Sequence, residues 1–114
     1  MSRTAEDWGR LAVSLPGWRW MPGMLGTSGD RSDRIMDHSE AKLPNLDIAP
    51  SPDDPATEGC MVRLLGPVHE AVWYTGDCDR WVVAVGEERR LYTSLGRACI
   101  AAAAALGRWP GGEG

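Results

Sequence analysis

The 114-residue chain is predicted to be an α+β protein, a small antiparallel sheet with helices on both faces, on the strength of three stretches in its C-terminal half. In residues 80–85, Arg-Trp-Val-Val-Ala-Val, both alternating sets are apolar: Trp81, Val83 and Val85 point one way, Val82 and Ala84 the other. A strand wetted on one side would alternate with polar residues, so a helix is expected over each face, giving an αβα sandwich. Residues 70–74, Glu-Ala-Val-Trp-Tyr, are a second apolar run, and Thr75-Gly76-Asp77-Cys78-Asp79 has the length and the glycine of a hairpin loop that pairs the two runs antiparallel. Beyond them, Leu95, Ala98, Cys99, Ala102, Ala103 and Leu106 fall at offsets 0, 3, 4, 7, 8 and 11, one continuous stripe of a helix.

Taken in order, the chain opens with Thr4 as an N-cap and Glu6 and Asp7 in the first turn, where carboxylates favour the helix dipole. Trp8, Leu11, Ala12 and Leu15 make that helix amphipathic, and Pro16-Gly17 ends it. Trp18-Arg19-Trp20-Met21 follows as a short strand of period two, stopped by Pro22-Gly23, with both indoles on one face. Residues 26–54 then form a long polar loop with few large apolar residues, in which Ile35-Met36 could make a brief strand. Asp54-Pro55 starts a second helix, an Asp cap with Pro at the first helical position, which buries Cys60, Met61, Leu64 and Leu65 and ends at Gly66-Pro67. Gly59 weakens it by about 1 kcal/mol relative to Ala, a residue type that often permits close packing. After the hairpin, the turn 86–89 returns the chain as a short third strand, 90–92. Thr93 or Ser94 caps the closing helix, and Gly107 with Pro110 stops it. The order is therefore helix, strand, a short optional strand, helix, two or three strands, helix, all within one domain.

The opposite face of the closing helix, with Ile100, Ala101, Ala104 and Ala105, is hardly polar either. Such a helix is either enclosed by its own fold or open to a second copy, which makes a homodimer through this helix one expectation. Alanine's intrinsic helicity is the simpler account. The net charge of −4 argues against nonspecific nucleic-acid binding, which needs a positive surface. Six Trp without Phe, and one Lys against eleven Arg, fit a GC-rich coding bias as well as selected chemistry. Three cysteines, two in expected helices and Cys78 in a turn, read as a reduced cytoplasmic set. The N-terminus lacks the apolar core of a signal peptide, and the alanine-rich run is shorter than the roughly 20 residues a bilayer span takes.

Catalytic and cofactor signatures are missing from the sequence. There is no GxGxxG, Walker or GxSxG pattern. His38 and His69 have no ligand at metal spacing, and Asp77-Cys78-Asp79 lacks the further oxygens of a calcium loop. A noncatalytic protein without cofactor or metal is expected.

Leu15-Pro16-Gly17-Trp18-Arg19-Trp20-Met21-Pro22-Gly23-Met24, the segment Asp54-Pro55-Ala56-Thr57-Glu58-Gly59-Cys60, the hairpin and the closing helix resemble small proteins of bacteriophages and prophages, in a layout similar to the phage ABA-sandwich domain. The resemblance implies an αβα sandwich and a phage origin, and it implies no activity and no functional residues; with the reduced cysteines, the expected location is the host bacterial cytoplasm. With the missing chemistry and the acidity, it leads to a phage accessory protein that binds a host or defence-system protein, an anti-defence inhibitor in its sharper form. The expected contacts are the 26–54 loop and exposed Trp and Arg side chains: Trp18, Arg19, Trp20, Asp30, Asp33, Arg89 and Arg90. The alternatives are a nucleotide- or sugar-binding module with a cavity bordered by Trp18, Trp20, Trp73 or Trp81, and a homodimeric structural protein.

Overall fold

The computed structural model describes residues 4–28, 31–36, 49–85 and 88–112. Among the described residues three α-helices form, each opening at an N-cap that its local chemistry predicts. In α1, Ala5–Ser14, Thr4 Oγ1 accepts from Asp7 N at 3.1 Å while Asp7 Oδ2 accepts from Thr4 N at 3.2 Å, a reciprocal cap. Ala12 is buried, and Trp8, Leu11 and Leu15 pack against the core beside it. In α2, Pro55–Leu65, Asp54 caps the first turn through Thr57 N. Met61, Leu64 and Leu65 are buried, as is Thr57, whereas Cys60 is only half-buried. Gly59 faces open space, so it serves no close approach and simply costs helix stability.

The closing helix, α3, covers Leu95–Leu106; Ser94 Oγ accepts from Arg97 N, and Gly107 ends the helix in the left-handed region at φ +79°. It lies at the centre of the molecule, against α1, α2 and the hairpin strands. Ile100, on the face offered to a second copy, is fully buried along with Ala98, Cys99, Ala102 and Ala103. Of the rest of that face, Ala101 and Ala104 are half-buried and Ala105 is exposed, so the chain's own elements cover it only in part.

The α+β class, the antiparallel strands and the helical layer are those expected, and two features depart in detail. First, the strands of the described residues divide between two three-stranded sheets. One has the order β2-β1-β3, with β1 Leu25–Ser28, β2 Arg31–Arg34 and β3 Ala49–Pro50. Leu25 pairs with Arg34, and Gly26 with Pro50. The 26–54 stretch is thus partly sheet and not a single polar loop. Its strands, Leu-Gly-Thr-Ser and Arg-Ser-Asp-Arg, lack apolar alternation and are recognisable only from their pairing. Ile35 continues that pairing by hydrogen bonds to Met24 O and from Gly23 N, at 2.8 and 2.7 Å. The expected strand 18–21 is irregular. It is bracketed by Gly17 and Gly23, both at positive φ, and its indoles pack inward instead of lying along a ladder.

The other sheet has the order β4-β5-β6: β4 Val72–Thr75, β5 Arg80–Val85 and β6 Glu88–Tyr92, so the third strand forms. Here lies the second departure. Val83 joins the core cluster, with Val72, Trp81 and Tyr92 packed against it on the α3 side. On the other side Val82 is buried but lies outside that cluster. Its registered neighbours are Trp73 and Leu91, 38% and 57% exposed. Among the described residues, cross-strand side chains and not a second helix flank Val82.

One short backbone segment draws the helices together. A Cβ at Gly9 of α1 would overlap Pro50 O, and one at Gly96 of α3 would overlap Pro52 O, so both helices rest on residues 49–52 through the missing side chain of a glycine.

Candidate functional site

Strand alternation and register build the outer face of β4-β5-β6 in rows. Trp73, Val82 and Leu91 lie opposite one another across the three strands. Ala84 and Arg89 form the next row, and Thr75 and Arg80 the row on the other side. The Arg89 guanidinium lies 5.9 Å from the centroid of the Trp73 ring, within cation–π range. At the hairpin, Arg80 Nη1 donates to Asp79 O at 3.0 Å. The face therefore has an apolar centre with a guanidinium on either side. No carboxylate belongs to the described side chains of its rows, although the chain as a whole is acidic.

Large apolar side chains are exposed elsewhere too: Val13, Met36, Tyr74 and Leu106. Among the described residues, only Trp73 and Leu91 stand in one cross-strand row, and single exposed apolar residues are ordinary on protein surfaces. Tyr74 points to the inner side, its ring 5.3 Å from that of Trp81, and its hydroxyl donates to the Asp79 carboxylate. That hydrogen bond holds the Tyr74 phenol above its ordinary pKa, because ionisation would set two negative charges together.

Comparison of the chain with known protein families, curated proteins and solved structures finds no match.

The residues expected to meet a partner are scattered by the fold. Trp18 packs edge-on against Trp20 and against Trp109, each at 5.5 Å between centroids. Trp109 is fully buried and donates from Nε1 to Ala12 O at 2.9 Å. Trp18 and Trp20 thus belong to the edge of the core, the other explanation open to two neighbouring indoles, while Arg19 is exposed away from them. Asp30 lies outside the described residues, as does the side chain of Asp33, whose backbone pairs with Gly26. Arg89 and Arg90 are both exposed and leave opposite faces of β6. Of those of the seven whose side chains are described, only Arg89 lies on the outer face of β4-β5-β6, in the row beside Trp73, Val82 and Leu91, and the ring it meets is Trp73.

Alternation also separates Trp73 from Trp81, outward and inward on one sheet, so the two cannot border a common cavity. Strand periodicity reports two apolar faces without saying which of them a helix will cover, so it does not single out Trp73 and Leu91 as exposed.

Arg34 forks onto Asp54, Nη1 to Oδ2 at 3.1 Å and Nη2 to Oδ1 at 3.0 Å, and also donates to Gly23 O. Arg34's hydrogen bonds, and then those from Thr57, hold the Asp54 carboxyl below its ordinary pKa despite partial burial. Burial pushes the Cys99 thiol up to about 12, with Glu58 adding to the shift, and burial raises Cys60 as well, so neither is an activated nucleophile. Among the described residues no group of three His, Cys, Asp or Glu could hold a metal ion, and no helix is long and apolar enough to cross a membrane. What these surfaces offer chemically is a firm, partly apolar, cationic contact.

Proposed function

We propose that the protein is a noncatalytic binding module that docks onto another protein through the outer face of β4-β5-β6. The observation that carries this is the cross-strand row in which exposed Trp73 and Leu91 flank the buried Val82, with Arg89 over the Trp73 ring. Trp and Arg dominate binding energy at protein interfaces, and here both project from a hydrogen-bonded sheet backed by α3, so little conformational freedom is lost on docking. The sharper form of the proposal takes the partner to be a host or defence-system protein in the bacterial cytoplasm. That part rests on the sequence resemblance to small phage proteins and on nothing in the geometry.

The test is affinity capture from bacterial lysates with the wild-type chain and with a Trp73→Ser/Leu91→Ser variant, read by quantitative mass spectrometry. A specific protein enriched by the wild type and lost with the variant is expected. Equal enrichment by both, or none across several lysates, refutes the proposal. A captured component of an anti-phage system would support the sharper form, and a housekeeping enzyme would count against it.

A further inference from the structure

We infer that the partner presents an amphipathic helix whose apolar stripe is edged by carboxylates, laid on the outer face of β4-β5-β6 opposite α3; this deepens the docking function proposed above and rests on it. The inner face of the same sheet already takes α3, with Val83 in the core and Val72, Trp81 and Tyr92 packed against it. On the outer face, Trp73, Val82 and Leu91 run across three strands, and two strand spacings come to about 10 Å, close to the width of a helix. A helix satisfies its own backbone and can rest a stripe of side chains on such a face. An extended segment laid on the middle of a sheet would find no backbone partners there.

Charge decides which helix. Arg89 stands opposite Ala84 of β5, yet its guanidinium lies 5.9 Å from the centroid of the Trp73 ring on β4, so the side chain reaches back across β5 over the face. A guanidinium held against a ring keeps the N–H groups of its own plane for a carboxylate. On the other side of the row Arg80 is exposed, and its Nη1 donates to the carbonyls of Asp79 and Cys78 at 3.0 and 3.5 Å, which fixes a second positive charge at the hairpin end. The carboxylates nearest in sequence are turned elsewhere: Asp79 accepts from the Tyr74 hydroxyl on the inner side, and Asp77 lies in the turn beyond the strands. No described side chain of the outer rows is acidic, although the net charge of the chain is −4. A second copy of this face would set guanidinium against guanidinium. Complementarity therefore favours a partner of opposite sign around the same apolar centre.

The experiment is selection on the immobilised full-length chain from a displayed library of single helices with one randomised face. Enriched helices are then measured as synthetic peptides against the wild type, Arg89→Glu and Arg19→Glu, the last making the same change of charge at an exposed position of the 18–21 segment. Circular dichroism and thermal melting establish that each variant is folded. Enriched sequences should carry Asp or Glu along the margin of an apolar stripe. They should lose about tenfold or more in affinity to Arg89→Glu, under about twofold to Arg19→Glu, and should weaken with added salt. A proline placed in mid-helix should abolish binding, and the amide shifts should move at Trp73, Val82, Ala84, Arg89 and Leu91. Helices without acidic bias that still depend on Trp73 and Leu91 would overturn the inference and leave the docking face standing. Binding that survives the proline, ignores Arg89→Glu or moves shifts elsewhere would overturn it, as would no enrichment, or capture of phosphatidylglycerol vesicles in place of any helix. Lysate capture with Trp73→Ser/Leu91→Ser decides separately whether the face docks a protein at all.

Discussion

Replacing Asp54 with Ala removes the acceptor on which the first sheet and α2 are joined. Asp54 Oδ2 caps α2 by accepting from Thr57 N at 3.0 Å and from Thr57 Oγ1 at 2.9 Å, and Thr57 Oγ1 in turn accepts from Leu25 N of β1 at 2.8 Å. Loss of an Asp cap costs about 1 kcal/mol. Thr57 is fully buried, so its hydroxyl is left without the acceptor water would provide, at a further 1–2 kcal/mol or so. The fork from Arg34 is open to solvent on the arginine side and adds little of its own. The expected sum is about 2–3 kcal/mol, a fall of roughly 1.5 M in the urea midpoint for a chain of this size. Urea unfolding followed by Trp fluorescence measures it. Thr57→Val, which removes the same link from its other end, should cost a similar amount and should not add to Asp54→Ala. A midpoint within about 0.3 M of wild type would refute the reasoning. There is also a pH signature. Because the folded carboxyl titrates below its ordinary value of 3.8, its contribution is present above that pH and is lost as pH falls through the folded value. Asp54→Asn should therefore flatten the acid limb of the stability profile.

Further outcomes follow from the packing and the hydrogen bonds. Gly59→Ala should stabilise the protein by about 0.5–1 kcal/mol, since the position is helical and its Cβ would meet nothing, whereas Gly96→Ala, whose Cβ would overlap Pro52 O, should destabilise it by about 1–3 kcal/mol; paired thermal melts decide both signs. Of the three thiols, exposed Cys78 should react first with a disulfide reagent under native conditions, half-buried Cys60 slowly, and Cys99 only on unfolding, as peptide mapping would show. Because the Cys99 thiol ionises near 9 when unfolded and near 12 when folded, its contribution to stability is complete below pH 9 and declines as pH rises from there towards 12. Phenolate absorbance should place Tyr74 above its ordinary value of 10, and Asp79→Asn should bring it down; an unchanged titration would mean that the Tyr74–Asp79 hydrogen bond does not persist in solution.

Much of the fold was legible because it is local. Thr4, Asp54 with Pro55, and Ser94 with Gly107 stand where three helices begin or end, each because one side chain or one glycine satisfies backbone groups within a turn of itself. The hairpin of β4 and β5 and the return of β6 were equally legible, since loop length and strand runs are adjacent in sequence. The strands β1 and β2 were not. Gly26, Thr27, Ser28, Ser32 and Asp33 carry no apolar period, and their ladder depends on pairing partners and on the Asp54 and Thr57 contacts from α2.

The candidate site divides in the same way. Sequence alone determined that Arg80–Val85 would be a strand apolar on both sides and that the alanine-rich stretch would be a helix, because each follows from a fixed backbone repeat, whereas Arg89, expected in the turn 86–89, became part of β6 only in the structure. The tertiary structure decided which side of the sheet receives α3 and which keeps Trp73 and Leu91 at the surface, and it turned Trp18 inward onto Trp109 with Trp20 against Trp18. Those outcomes depend on where the helices come to rest. That placement is governed by contacts far apart in the chain, such as Gly9 and Gly96 against residues 49–52, which no periodicity records.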